Sequence, residues 1–156
     1  MSRGARTCRA TITPGLEQAL IDELAELGIE ARAETGAAVF KASEVELYRV
    51  NRLSRVAARV TVLLGRVGAG NLEMLADRVR KLPWKAYVRP RQPLEVKVST
   101  QRSKLRHGST ISRKVILAIG DALKGPRIPG PPTRATARVV VHIDQDMASV
   151  SIDSSG

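Results

Sequence analysis

The stretch with the most chemical promise is Arg102-Ser103-Lys104-Leu105-Arg106-His107-Gly108-Ser109-Thr110, followed by Arg113 and Lys114. Arg102, Lys104 and Arg106 are long cations at alternate positions, and a helix is expected to open at Gly108 or Ser109. The first amides of a helix have no intrahelical acceptor, and with the helix dipole they attract phosphate. Nearby Lys and Arg add a salt-dependent attraction for a polyanion. Arg102, Lys104, Arg106, His107, Ser109, Arg113 and Lys114 are therefore the candidate RNA-binding residues. A plainer reading of the same stretch is a solvated loop in which Leu105 packs inward and His107 makes a structural hydrogen bond.

Other chemistries find no constellation. Gly68-Ala69-Gly70 has the look of a dinucleotide or S-adenosylmethionine turn, but Glu73 stands where the fingerprint needs its third glycine. No acidic residue follows at a ribose-binding distance, so a plain turn is expected. There is no P-loop. His107 and His142 are far apart and lack Cys or carboxylate neighbours at metal-ligand spacing. Cys8 is the single cysteine, which excludes an intrachain disulfide and a thiolate zinc site. No catalytic, cofactor-binding or metal-binding residue is assigned. Trp84 is open to two readings, a stacking platform for a base or a core plug in a chain with few aromatics.

Charge supports the first stretch. The net charge is +11, and it is unevenly spread. Residues 1–67 carry 10 basic and 8 acidic side chains, whereas residues 78–138 carry 16 basic ones against only Glu95 and Asp121. A local excess of this size is the footprint of a polyanion-binding surface. It makes nucleic acid a better partner than a membrane, since no basic amphipathic helix carries bulky aromatic anchors. No apolar run approaches the roughly 20 residues of a spanning helix. The arginines at 3, 6 and 9 are not followed by an apolar signal-peptide core. A cytoplasmic protein is the expectation.

The elements that must position these residues follow from spacing and caps. Residues 7–13 read as a strand. Thr13 and Pro14 are expected to cap and start a helix ending at Gly28, with Leu16, Leu20, Leu24 and Leu27 inward and Glu17, Asp22, Glu23 and Glu26 facing water. Residues 29–34 and 37–41 suggest a hairpin around Gly36. Ser43 caps a second helix to about Leu53, and 56–67 is a β-branched strand. This β-α-β-β-α-β order is the ferredoxin-like arrangement. Beyond it, Asn71 caps a helix with Leu72, Leu75, Val79 and Leu82 inward, and Pro83 stops it. A strand over 94–99, the basic loop 101–107, and a helix to about Leu123 come next. Pro126, Pro129, Pro131 and Pro132 forbid regular structure, and strands 137–143 and 148–152 close the chain. The fold class is α/β (α+β).

The ordered set of local patterns resembles a known family. Pro14-Gly15-Leu16-Glu17, Glu23-Leu24 and Leu27-Gly28, then Tyr48, Arg49, Asn51 and Ala58-Arg59-Val60, look like the opening of the THUMP-containing bacterial 23S rRNA guanine-N2 methyltransferases. Leu82-Pro83-Trp84 with Tyr87, then Ser103, Leu105 and His107, Val139–Ile143, and Ser151 to Gly156 continue in the family's order. The resemblance implies a ferredoxin-like domain over 1–67 and a THUMP RNA-binding domain over 68–156, whose boundary by motif alone could lie near 45. It also implies a covalent C-terminal methyltransferase domain that binds S-adenosylmethionine and acts on 23S rRNA. Neither that domain's cofactor motif nor its Asn/Asp-Pro-Pro-Tyr motif is in this sequence. The chain is thus expected to be a fragment that presents RNA without methylating it. A free-standing THUMP adaptor and a small self-sufficient α/β transferase are the alternatives.

Overall fold

A computed structural model of the chain describes residues 5–89, 92–124 and 136–154. It divides into two compact units, residues 1–63 with 153–156, and residues 64–152. The proline-rich loop expected around 126–132 lies outside the described residues.

The first unit contains β1 (Arg6–Thr11), α1 (Glu17–Glu26), β2 (Ala31–Glu34), β3 (Ala37–Ala42), α2 (Glu44–Leu53) and the first half of β4 (Arg59–Gly68). Its strands lie in the order β2-β3-β1-β4, and every neighbouring pair is antiparallel. This is the ferredoxin-like domain expected from the element order. Alternation along β1 buries Cys8 and Ala10, which join Phe40, Val60 and Val62 beneath Leu20 and Leu24 of α1 and Leu47 and Val50 of α2. Burial pushes the Cys8 thiol up to about 11, so it behaves as a small apolar side chain. Ser43 starts α2 with a full capping box: its hydroxyl accepts from the Glu46 amide at 3.2 Å, and Glu46 accepts from the Ser43 amide at 3.0 Å.

The start of α1 differs from expectation. Thr13 is not its cap, and Pro14 is not its first residue. The Leu16 amide instead donates to the Thr13 carbonyl at 3.1 Å, and Gly15 has φ +99°. Pro followed by a positive-φ Gly is the signature of a type II turn, which outcompetes the helix start here. Leu16 consequently points outward, 54% exposed, rather than joining the apolar stripe. Two acids expected to face water are structural. Glu17 accepts from the Gly36 amide at 2.8 Å and the Gly15 amide at 2.9 Å, pinning the β2–β3 turn to the helix start. Glu23 accepts from the Arg55 amide at 3.0 Å and from the Ser54 hydroxyl, closing the end of α2.

The second unit contains the end of β4, α3 (Leu72–Arg80), a short 3-10 turn at Trp84–Ala86, β5 (Leu94–Gln101), α4 (Gly108–Ala122), β6 (Ala137–Asp144) and β7 (Met147–Asp153). β5 and β6 run parallel, which demands a crossover, and α4 supplies it. β6 and β7 form an antiparallel hairpin. Its two loop residues, Gln145 (φ +51°) and Asp146 (φ +60°), are both left-handed, as a type I′ turn requires. Asn71 caps α3 by accepting from the Met74 amide at 2.8 Å. The core joins Leu75 and Val79 of α3 and Ile111, Val115 and Ile119 of α4 to Val139, Val141, Ile143 and Val150. Trp84 is the core plug of its two readings. It is 1% exposed, and its indole N–H donates at 2.7 Å to the Val79 carbonyl at the end of α3, which also accepts from the Leu82 amide at 3.1 Å. Leu82 and Leu123 are only half-buried.

Glu17 links this architecture to pH. The Gly36 amide, its own amide and the Gly15 amide hold its carboxyl below the ordinary value of 4.5. Its ionised form therefore stabilises the fold above that value, and the contribution is lost as pH falls through the lowered pKa. Glu17→Gln is expected to lower the melting temperature at neutral pH, with the gap closing on acidification. A gap that stays constant across a pH series of thermal melts would remove the carboxylate from this role.

Candidate nucleic-acid interface

The expected RNA-binding loop is held by a turn that the sequence did not single out. The carboxylate of Asp146 accepts from the Lys104 amide at 3.0 Å and from the Ser103 hydroxyl at 3.2 Å. The Ser103 hydroxyl in turn accepts from the Leu105 amide at 3.1 Å. The Gln145 amide donates to the Gln101 carbonyl at 3.3 Å, and the Ala69 amide donates to the Asp146 carbonyl at 2.8 Å. One two-residue turn thus fixes both the loop entering α4 and the Gly68–Gly70 turn entering α3. The signal available in the sequence was two acids spaced by one between two strands, where Asp tolerates the left-handed region.

The helices that start there are parallel neighbours. Lys114 in α4 meets Glu73 in the first turn of α3 at 2.8 Å, and at the other end Arg80 reaches Asp121 at 3.7 Å. The Lys114 ammonium beside Glu73 holds that carboxyl below the usual carboxylate range. His107 occupies the N-cap position of α4 with extended backbone, and its side chain makes no cap hydrogen bond. The Ile111 amide is bonded to the His107 carbonyl at 3.0 Å, so the amides of Gly108, Ser109 and Thr110 precede the helical ladder. No acidic residue lies in the first turn of α4.

The seven candidate residues are therefore not equivalent. Arg102, with φ +51°, spends its guanidinium on Asp144 in a bidentate pair, Nε to Oδ1 at 3.0 Å and Nη2 to Oδ2 at 2.8 Å. Lys114 is committed to Glu73. Lys104, Arg106 and Arg113 are exposed and, among the described residues, form no ion pair. His107 and Ser109 are exposed beside the helix start. Leu105, which packs inward in the plainer reading of this loop, is half-buried. Glu95 and Asp121, the two acids inside the basic stretch, face Arg138 at 3.3 Å and Arg80 at 3.7 Å.

His142 shares a hydrogen bond of 2.7 Å with the Ser99 hydroxyl across β5 and β6 and stands apart from His107. Among the described residues, no three His, Cys, Asp or Glu side chains converge as metal ligands. None of the described helices is long and apolar enough to cross a membrane.

Two family models cover most of the chain. The RlmL ferredoxin-like domain matches residues 7–61, and the THUMP domain matches residues 69–153. The chain belongs to the THUMP family. It is 36% identical over 151 residues to a ribosomal RNA large subunit methyltransferase K/L of Methylococcus capsulatus, covering 94% of this chain and 20% of that protein. A putative RNA methyltransferase of Synechocystis is 30% identical, with 94% of this chain and 39% of that protein covered. A crystal structure described as a predicted N6-adenine-specific DNA methylase from Listeria monocytogenes superposes with a TM-score of 0.83 at 25% identity, over 96% of this chain and 40% of that one. The chain thus spans between a fifth and two fifths of the length of these relatives.

In this THUMP domain, Asp146→Ala removes the acceptor for the Ser103 hydroxyl and the Lys104 amide. The expected cost is about 1–3 kcal/mol of unfolding free energy, with faster amide exchange at Lys104. Asp146→Asn keeps an acceptor oxygen and tolerates the left-handed backbone, so it should recover most of both. Chemical denaturation and hydrogen exchange check this, and an unchanged Lys104 exchange rate in Asp146→Ala would remove the turn's anchoring role.

Proposed function

We propose that this chain is the RNA-holding part of an RNA methyltransferase. The observation that carries the reading is the exposed, unpaired trio Lys104, Arg106 and Arg113 around the acid-free start of α4 in a THUMP domain. In this reading the trio and the amides of Gly108–Thr110 hold phosphates, while His107 and Ser109 add hydrogen bonds. Arg102 and Lys114 contribute chiefly by shaping the loop and the helix pair. Residues 1–67 and 68–156 act as the ferredoxin-like and THUMP modules. The RNA is 23S rRNA in the cytoplasm, and the modified position is a guanine N2. The methyl group comes from S-adenosylmethionine held by a further domain of the parent protein. The ribosomal RNA methyltransferase relatives, far longer than the matched region, support that division of labour.

Backbone contacts position RNA without specifying its sequence, so the test is salt dependence. Each neutralised phosphate contributes roughly 0.7 to 0.9 to the slope of log affinity against log salt. Replacing Lys104, Arg106 and Arg113 together by Ala is expected to flatten that slope by roughly 2 to 3 units, similarly for unrelated RNA sequences. Arg102→Ala alone should change it little, because Asp144 already neutralises the guanidinium. Replacing Lys41, Arg66 and Lys85, exposed cations that form no ion pair among the described residues, is the control of equal charge. If that control flattens the slope as much as the trio does, net charge explains binding and the placement is wrong.

A further inference from the structure

The outward face of α2 has no role in the reading above. Leu47 and Val50 are the buried side of this helix. Spacings of three and four residues put Val45, Tyr48, Arg49 and Arg52 together on the opposite side. Val45 is 71% exposed and Tyr48 is 63% exposed, while Leu53 (50%) and Val56 (38%) extend the apolar surface past the helix end. Among the described residues, the Tyr48 hydroxyl has no hydrogen-bond partner, and Arg49, Arg52 and Arg55 form no ion pair. Of the nearby acids, Glu46 accepts from the Ser43 amide in the capping box and also feels the charge of Arg49, and Glu23 accepts from the Arg55 amide and the Ser54 hydroxyl. Glu44 lies on the flank, in the first turn.

An open aromatic ring beside an aliphatic side chain, flanked by cations, matches the chemistry of an unpaired nucleotide. The base has a π face to stack, and the neighbouring phosphates need positive charge. Duplex RNA hides its base faces, so the fitting occupant is a single-stranded segment. The core of a protein-binding patch, by contrast, is depleted of charge, and this stripe places two guanidiniums beside its only aromatic ring. We propose that α2 carries a stacking platform for one unpaired base of bound RNA, with Tyr48 under the base and Arg49 and Arg52 on the adjoining phosphates. This rests on the RNA-binding reading but not on the placement of the trio at α4.

The test titrates the whole chain, by fluorescence anisotropy, with a stem-loop RNA carrying a single-stranded uridine tail and with the same stem-loop lacking the tail. Tyr48→Ala is expected to weaken binding of the tailed RNA by roughly 5- to 100-fold, the range of a lost base stack, and to leave the tailless RNA unchanged. Tyr48→Phe should bind both like the parent, and ultraviolet crosslinks to the tail should map to the peptide containing Tyr48. Because Tyr48 is exposed, circular dichroism should show all variants folded. Equal affinity of the parent chain and Tyr48→Ala for the tailed RNA overturns the platform while leaving RNA binding intact. Binding of neither RNA by the parent chain overturns both readings. If sedimentation shows self-association that Tyr48→Ala abolishes while RNA affinity is unchanged, the face is an interface between copies and the platform is wrong.

Discussion

The second unit depends on one carboxylate in one turn. Asp146 sits at the tip of the β6–β7 hairpin, where a two-residue connection forces both of its residues into the left-handed region. Its side chain then receives the backbone of the loop before α4, and its carbonyl receives the backbone before α3. Loops between elements have many conformations and pay entropy to adopt one. Here the hairpin, already rigid through strand pairing, supplies acceptors at fixed positions, so two otherwise unrelated loops are ordered against the same template. The basic loop is presented as a shaped edge because of this.

The distribution of acids follows a related logic. Counting charges along residues 78–138 gives a large positive excess, but the folded surface does not display every cation equally. Glu73, Glu95, Asp121 and Asp144 each sit beside one particular cation. Exposed ion pairs contribute little to stability, so their main physical effect is to select which cations stay uncompensated. Lys104, Arg106 and Arg113 are left without a carboxylate at the one α-helix start among the described residues that lacks an acid. Composition reports the sum, and tertiary structure decides where the field points.

Much of the architecture was legible in local chemistry. Ser43 with Glu46 and Asn71 before an apolar helix are caps whose hydrogen bonds close within a single turn, so the sequence contains all the partners. The misreadings have a common cause, which is competition or distance. Thr13-Pro14-Gly15 satisfies both a helix-start rule and a type II turn rule, and only the left-handed backbone of Gly15 decides between them. Glu17 and Glu23 look like solvent-facing acids on a helical wheel, because their partners at Gly36 and Arg55 are remote in sequence. Arg102 reads as a free cation for the same reason, since Asp144 lies 42 residues away. Trp84 could be resolved only once the Val79 carbonyl was seen at the end of its helix.

The parallel pairing of α3 and α4 has an energetic side. Each helix carries roughly half a positive charge at its start, and two such starts at the same end of a parallel pair repel one another. Glu73 offsets the first, but α4 has no acid in its opening turn to offset the second. The start of α4 therefore keeps a partial positive charge that no acid of its own first turn offsets. In the RNA-holding reading a phosphate at that start offsets this charge, and whatever binds only the folded state raises its stability by mass action. In the same reading, the cohesion of this domain is thus coupled to the anions around it: phosphate-rich molecules tighten it, and a medium of weakly coordinating salts leaves it looser.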